Sequence, residues 1–278
     1  MVTHVSNTYN LTSSDAFLIT DMQVDFLPGG ALPVAGGNEI IPFINGYIKR
    51  FETAQAHVIA SRDWHPANHI SFRAQGGPWP PHCIQQTPGA NFSPDLKLPK
   101  HTLVISKAAD SNREVYSAFD NTDLANQLRQ LGIKRLFVSG LATDYCVVNT
   151  VLDARKLGFE VAVLMDATLG INVKPGDVDR AIDAILKSGA QQSKNADFPE
   201  MEDALPLAEE ESDGLAEKPS KLKEAKTKAR MRSRGVNKRI KAEHYSNPHE
   251  PYIIMHRWKS QNEQSALRTR IYLKLAPA

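Results

Sequence analysis

Cys146 lies in the stretch Ser139–Val148, SGLATDYCVV. The apolar run Arg135–Ser139 before it reads as a buried strand, and Val147, Val148, Val151, Leu152 and Leu157 after it recur at helical spacing. The thiol therefore falls where a strand hands over to a helix. The first turn of a helix offers unpaired N–H groups and a positive dipole end, so a thiol there is expected to ionise more easily than a free one. A cysteine nucleophile also needs a cation beside it and a base for its proton, and Lys107 and Asp21 are the candidates. The same three residues fit a buried Asp–Lys ion pair next to a small apolar cysteine, and both readings stand at this level. Asp63, His65 and His82 make a second set, one carboxylate and two imidazoles, with the first two spaced i, i+2 on one side of an extended segment. Such a set suits a divalent metal, and equally a polar surface.

The elements that must position these groups are legible as alternating patterns. Strand-like runs at Ala16–Thr20, His57–Ser61, Thr102–Ser106, Arg135–Ser139 and Glu160–Met165 are short and apolar throughout, as strands buried on both faces must be. Helical stripes separate them at Asn38–Phe51, Asp123–Leu131, the Cys146 segment up to Gly158, and Pro175–Leu186. The alternation predicts an α/β fold, a doubly wound parallel sheet with helices on both faces. Asp21, Asp63 with His65, Lys107 and Cys146 then follow successive strands at one sheet edge, the carboxyl edge where ligands bind. A segment rich in Gly and Pro from Ala67 to Lys100 carries His82 between two strands; loops of that length are usually functional or disordered, and its tryptophans and histidines favour a functional one.

The 278 residues, 41% hydrophobic, suffice for one large domain or a medium domain with an appendage. With only Cys83 and Cys146 as cysteines, a polar Met1–Ser14 without a signal region, and no apolar run near the roughly 18–20 residues of a membrane span, a cytoplasmic setting is expected. The net charge of +2 hides a division, because Asp197–Glu217 lacks Lys and Arg while Lys218–Lys241 has Glu224 as its only acid. Blocks of like charge repel and rarely build a core. The expected organisation is a lead at 1–14, the α/β domain at 15–190, a charged disordered linker at 191–245 and a C-terminal segment at 246–278, together a charged C-terminal extension. The basic block is more simply a solvated linker than a nucleic-acid contact.

At this point the residues resemble a known family. Asp21-Met-Gln-Val-Asp25-Phe26, Asp63-Trp-His65-Pro-Ala-Asn, Trp79-Pro-Pro-His82-Cys83, Lys107 and Gly140-Leu-Ala-Thr-Asp-Tyr-Cys146 together look like the nicotinamidases of the isochorismatase-like cysteine hydrolases. The resemblance implies Cys146 as nucleophile, Asp21 as general base, Lys107 as the stabilising cation, and a cis Leu141–Ala142 peptide that aims the Ala142 and Cys146 amides as an oxyanion hole. It implies Asp63, His65 and His82 as ligands of a divalent metal, zinc first and iron or manganese next, with His69 the local candidate for a further ligand. Phe26 and Trp79 match positions that sandwich a pyridine ring, and Tyr116 an aromatic wall. The implied partner is nicotinamide, with a homo-oligomer open and no membrane.

Two other readings remain. One is a metal-free-type hydrolase acting on another amide or an enol ether, and the other an inactive domain with a basic nucleic-acid-binding tail. Asp25 and Asp166 are expected to bond loop backbone, and Asp144 to cap the Cys146 helix. In this family a sixth apolar strand follows the last helix, but Gln191–Asn195 is polar here. The expectation is that the edge strand is absent, or is supplied by Tyr252–Met255 or Ile271–Leu275.

Overall fold

The computed structural model describes residues 8–200 and two short strands, β7 (Ile253–Ile254) and β8 (Tyr272–Leu273). In chain order the main elements are β1 (Asp15–Thr20), α1 (Ile41–Thr53), β2 (His57–Asp63), β3 (Leu103–Lys107), α2 (Leu124–Gln130), β4 (Arg135–Leu141), α3 (Val148–Lys156), β5 (Glu160–Leu169), α4 (Asp177–Lys187) and β6 (Gln191–Ser193). The strands form one parallel sheet of order β3-β2-β1-β4-β5-β6.

Period-two alternation divides the strand residues between two cores. Phe17 and Ile19 of β1 join Ile44, Tyr47, Ile48 and Phe51 of α1 on one face. Ala16 and Leu18 join Leu124 and Leu128 of α2, Val151 and Ala154 of α3, and Ala181 and Ile185 of α4 on the other. The central strand β1 is buried on both sides, which is why Ala16–Ile19 is apolar without a break. Truncating a ring as enclosed as Phe51, stacked on Phe17 at 5.2 Å, to alanine would cost about 3–5 kcal/mol. The chain winds outward from β1 to β2 and β3, then returns to place β4 on the other side of β1. The switch of direction lies between β1 and β4, and a crevice opens at their carboxyl ends.

The sixth strand corrects the expectation from sequence. The polar segment itself supplies it, with Gln191, Gln192 and Ser193 paired to Ala162, Val163 and Leu164 of β5. An edge strand contributes backbone N–H and C=O groups to one neighbour, and short polar edges discourage pairing with another chain, so side-chain hydrophobicity was the wrong signal. The segment is pinned by Asn195 N–H on Asp166 Oδ2 at 2.8 Å and by Tyr9 N–H on Asp197 O at 2.8 Å. Tyr9, from the polar lead, is itself buried edge-on to Phe137 at 5.0 Å. β7 and β8 pair antiparallel with each other and lie outside the six-stranded sheet. Residues 15–190 were expected to make the domain, and the sheet runs to Ser193. The charged linker was expected to be disordered from residue 191, but Gln191–Ser193 is a strand, Asn195–Asp197 a 3-10 turn and Phe198 is buried; the rest of that linker, and the reading of Lys218–Lys241, lie outside the described residues.

Candidate active site

The register of the sheet brings the reactive side chains together. Asp63 and Lys107, the last residues of β2 and β3, are direct partners across the parallel ladder, so their side chains leave the same face side by side. Thr20 pairs with both Ser61 and Gly140. Gly140 has φ +104, and a Cβ there would stand 2.0 Å from Thr20 O, so only glycine lets β4 approach β1 this closely. Asp21 leaves the end of β1 in the left-handed region, φ 51, a conformation aspartate tolerates better than most residues.

Asp21, Lys107 and Cys146 are 0%, 1% and 6% exposed. An ammonium has three N–H donors, and the Lys107 Nζ has three partners: Asp21 Oδ2 at 2.9 Å, Cys146 Sγ at 3.3 Å and Asp63 Oδ1. Ser61 Oγ donates to the other Asp21 oxygen at 2.7 Å. Burial pushes the Lys107 ammonium toward losing its proton, but Asp21, Asp63 and Cys146 outweigh it and hold its pKa well above the ordinary lysine value. Burial first, reinforced by Asp63 and opposed by Lys107, raises the Asp21 carboxyl. Burial also raises the Cys146 thiol, with Lys107 opposing the shift and Asp21 and Asp63 adding to it. This direction runs against the expectation of an easily ionised thiol. One ammonium shared with two carboxylates cannot hold a third, desolvated anion.

One donor atom each from Asp63, His65 and His82 lies within 4.8 Å of the others, all three residues being buried. The His65 Nδ1 faces the His82 carbonyl at 3.2 Å and the His82 Nδ1 faces the Pro80 carbonyl at 2.8 Å. A carbonyl only accepts, so both rings carry a proton on Nδ1, which leaves Nε2 as the nitrogen that can serve a metal. Burial, then His82, His69 and Lys107, pull His65 down to about 2, so it stays neutral. A carboxylate and two imidazoles fit a borderline divalent ion. The His69 ring lies tilted beside that of His65, centroids 4.4 Å apart, but its Nδ1 faces Ser71 Oγ at 2.7 Å and its Nε2 faces Arg113 O at 3.0 Å, leaving no free nitrogen. It is a support, and the reading of it as a further ligand is corrected.

The rest of the pocket is lined by Phe26, Leu32, Trp79, Glu114, Tyr116, Ala142, Tyr145 and Ile171. Phe26 lies 5.4 Å from the His82 ring, Trp79 packs edge-on to Tyr145 at 5.1 Å, and the Trp79 indole N–H donates to Tyr116 Oη at 3.2 Å. The Leu141–Ala142 peptide is cis. Among the described residues no helix is long and apolar enough to cross a membrane.

The model of the isochorismatase domain matches residues 15–197. The chain belongs to the isochorismatase family. Within it, the chain is 39% identical to the nicotinamidase of Escherichia coli (strain K12), covering 66% of this chain and 97% of that protein. Among solved structures it is similar to the pyrazinamidase of Pyrococcus horikoshii in complex with zinc, at 51% identity and TM-score 0.63, covering 65% of this chain and 99% of that one. It is likewise similar to L. infantum PnC1 in complex with nicotinate, at 37% identity and TM-score 0.64, covering 69% and 98%.

In this member of the isochorismatase family, Phe26, Asp63, His65, Trp79, His82, Tyr116, Ala142 and Cys146 line one pocket, with Asp21 and Lys107 in contact behind Cys146 and His69 turned elsewhere, but several contributors escaped sequence reasoning. Tyr145 was given no role from sequence, yet Thr143–Val147 forms a π-type turn before α3 that presents Tyr145 and Cys146 to the pocket. Phe72 is buried beneath the imidazoles, 5.3 Å from His65 and 5.5 Å from His82. Gln23 clamps Asp63 by its backbone, accepting its N–H at 2.7 Å and donating to its carbonyl at 2.8 Å and to Ala90 O at 2.9 Å. The place of Gln23 inside the Asp21–Phe26 run was the one available signal. Asp25 and Asp166 do bond loop backbone, at Cys83 N–H and Asn195 N–H. Asp144 makes no helix cap. Both its oxygens instead accept N–H groups from the loop after β5, at Ile171 and Asn172.

Proposed function

We propose that this chain is a nicotinamidase, hydrolysing nicotinamide to nicotinate and ammonia through a thioester on Cys146. The observation that carries the reading is the Lys107 ammonium, shared among Asp21, Asp63 and Cys146 beside the pocket that holds the Asp63, His65, His82 set. The relatives named nicotinamidase support it.

Asp21 is the general base. Its raised pKa makes it a stronger proton acceptor than an ordinary carboxylate, matched to a thiol that keeps its proton until substrate arrives. As the S–H proton passes to Asp21, the sulfur attacks the amide carbon, and Lys107 balances the negative charge that develops. The oxyanion is received by the Ala142 and Cys146 N–H groups, a role supported by both residues lining the pocket. The C–N bond then breaks, the nitrogen takes the proton from Asp21, and ammonia leaves. Water, deprotonated by Asp21, attacks the thioester; the C–S bond breaks and the sulfur recovers its proton.

Asp63, His65 and His82 would hold a divalent ion, read as zinc from the donor set and from the zinc-bound relative. When bound, that ion supplies a Lewis-acid attachment for a ring nitrogen. Phe26, Trp79 and Tyr116 enclose the ring and orient its amide toward Cys146. Ammonia release from nicotinamide by the zinc-loaded wild type, absent in Cys146→Ala, is the decisive assay. A wild type that is metal-loaded and inactive toward nicotinamide would exclude the reading.

A further inference from the structure

Asp144 touches none of the reacting groups, yet its carboxylate is fully engaged. It accepts the Ile171 N–H at 2.9 Å and the Asn172 N–H at 2.6 Å, two successive amides of the loop leaving β5. Asn172 is left-handed, φ 56, and its side-chain oxygen accepts the N–H of Asp177, the first residue of α4, at 2.9 Å. The loop is thus tied at one end to the turn that carries Cys146 and at the other to the start of a helix. Gly170 completes the constraint: a Cβ there would stand 2.3 Å from Val178 Cγ2 and 2.9 Å from Asp144 Oδ1. Ile171, held between these anchors, lines the pocket together with Tyr145 and Cys146 from the turn.

We propose, on the reading that the pocket takes a pyridine carboxamide, that Asp144 is the positioning residue of the pocket's aliphatic wall and thereby determines which ring substituents are accepted. A carboxylate is the side chain suited to grip two N–H groups at once, since each oxygen offers acceptor lone pairs and the bonds are charge-assisted. An asparagine in its place turns one acceptor into an NH₂ donor facing an N–H, and the loop must swing Ile171 away to relieve it. Shape selection by one aliphatic wall is worth about 10- to 200-fold per methylene-sized group.

The test uses the full chain, loaded with zinc, as wild type, Asp144→Asn, Ile171→Ala and Gly170→Ala, assayed on nicotinamide and on its ring-5-methyl derivative. In Asp144→Asn, KM for nicotinamide is expected to rise about tenfold with kcat held within about threefold, the signature of lost positioning rather than lost chemistry. The preference for nicotinamide over the methylated amide is expected to fall about tenfold in Asp144→Asn and Gly170→Ala, and at least as far in Ile171→Ala, which keeps every Asp144 bond. Should Asp144→Asn fail to fold, the other two variants decide. A preference unchanged in the variants that fold, or a fall in kcat alone, overturns the proposal while leaving the nicotinamidase reading in place. A wild type inactive toward nicotinamide overturns that reading first.

Discussion

Lys107 and Asp63 are register partners on adjacent parallel strands and form a buried ion pair, while the second Asp63 oxygen faces His82 Nε2 at 4.0 Å. One carboxylate therefore belongs both to the cation that serves Cys146 and to the set suited to a metal. Replacement of Asp63 by Asn should weaken zinc binding by about 100-fold or more, as well as removing a charge from Lys107. Calorimetric zinc titration of the two proteins checks this, and an unchanged affinity would remove Asp63 from the ligand set.

Lys107→Ala leaves Asp21 and Asp63 buried side by side without their shared cation. Removing one partner of a buried ion pair costs about 3–5 kcal/mol. Urea unfolding followed by circular dichroism should show a loss of that size, and a variant as stable as wild type would mean that the carboxylates are protonated or hydrated in its absence.

The thioester route requires a covalent intermediate on Cys146. Turnover by Cys146→Ala should fall by at least about four orders of magnitude, and acid quenching of the wild type during turnover should trap an adduct with the mass of a nicotinoyl group. A Cys146→Ala enzyme that retains a tenth of the activity would require a different nucleophile.

Gln23 is wholly buried and satisfies both the N–H and the carbonyl of Asp63. Gln23→Ala leaves those groups unpaired at a cost of about 1–3 kcal/mol for each one that water does not reach. The measurable outcome is a lower thermal midpoint together with weaker zinc retention; a change in stability without any change in zinc affinity would confine Gln23 to the fold.

Burial raises the Tyr116 phenol to about 12, the Trp79 indole opposing the shift and Glu114 adding to it. The unfolded chain releases that proton near the ordinary value of 10, so above pH 10 the native state holds a proton the unfolded state has lost. Stability from this group is whole below pH 10 and declines as pH rises toward 12. Denaturant unfolding at a series of alkaline pH values should show a shallower decline for Tyr116→Phe than for wild type, and equal slopes would remove the tyrosine from the account.

Much of the architecture is written locally. A run such as Phe17-Leu18-Ile19 must be buried on both faces, and strands of that kind separated by single helices leave little choice but a parallel, doubly wound sheet. Chain ends of such strands gather at one edge, so Asp21, Asp63, Lys107 and Cys146 could be placed together before any coordinate was known. β6 escaped because an edge strand is held by its backbone, and Gln191-Gln192-Ser193 carries no side-chain trace of it.

What the amino-acid order determined by itself was the sheet, its reactive edge and the kinds of groups on that edge. Tertiary structure alone decided how those groups share charge and hydrogen bonds. Asp63 answers to Lys107 and His82 at once, the surroundings of Cys146 raise its thiol pKa instead of lowering it, His69 is committed to Ser71 and Arg113, and Asp144 grips a loop 27 residues away. Each of these outcomes is a balance between desolvation and contacts with residues distant in the chain, and neither side of that balance has a value until the fold has set the distances.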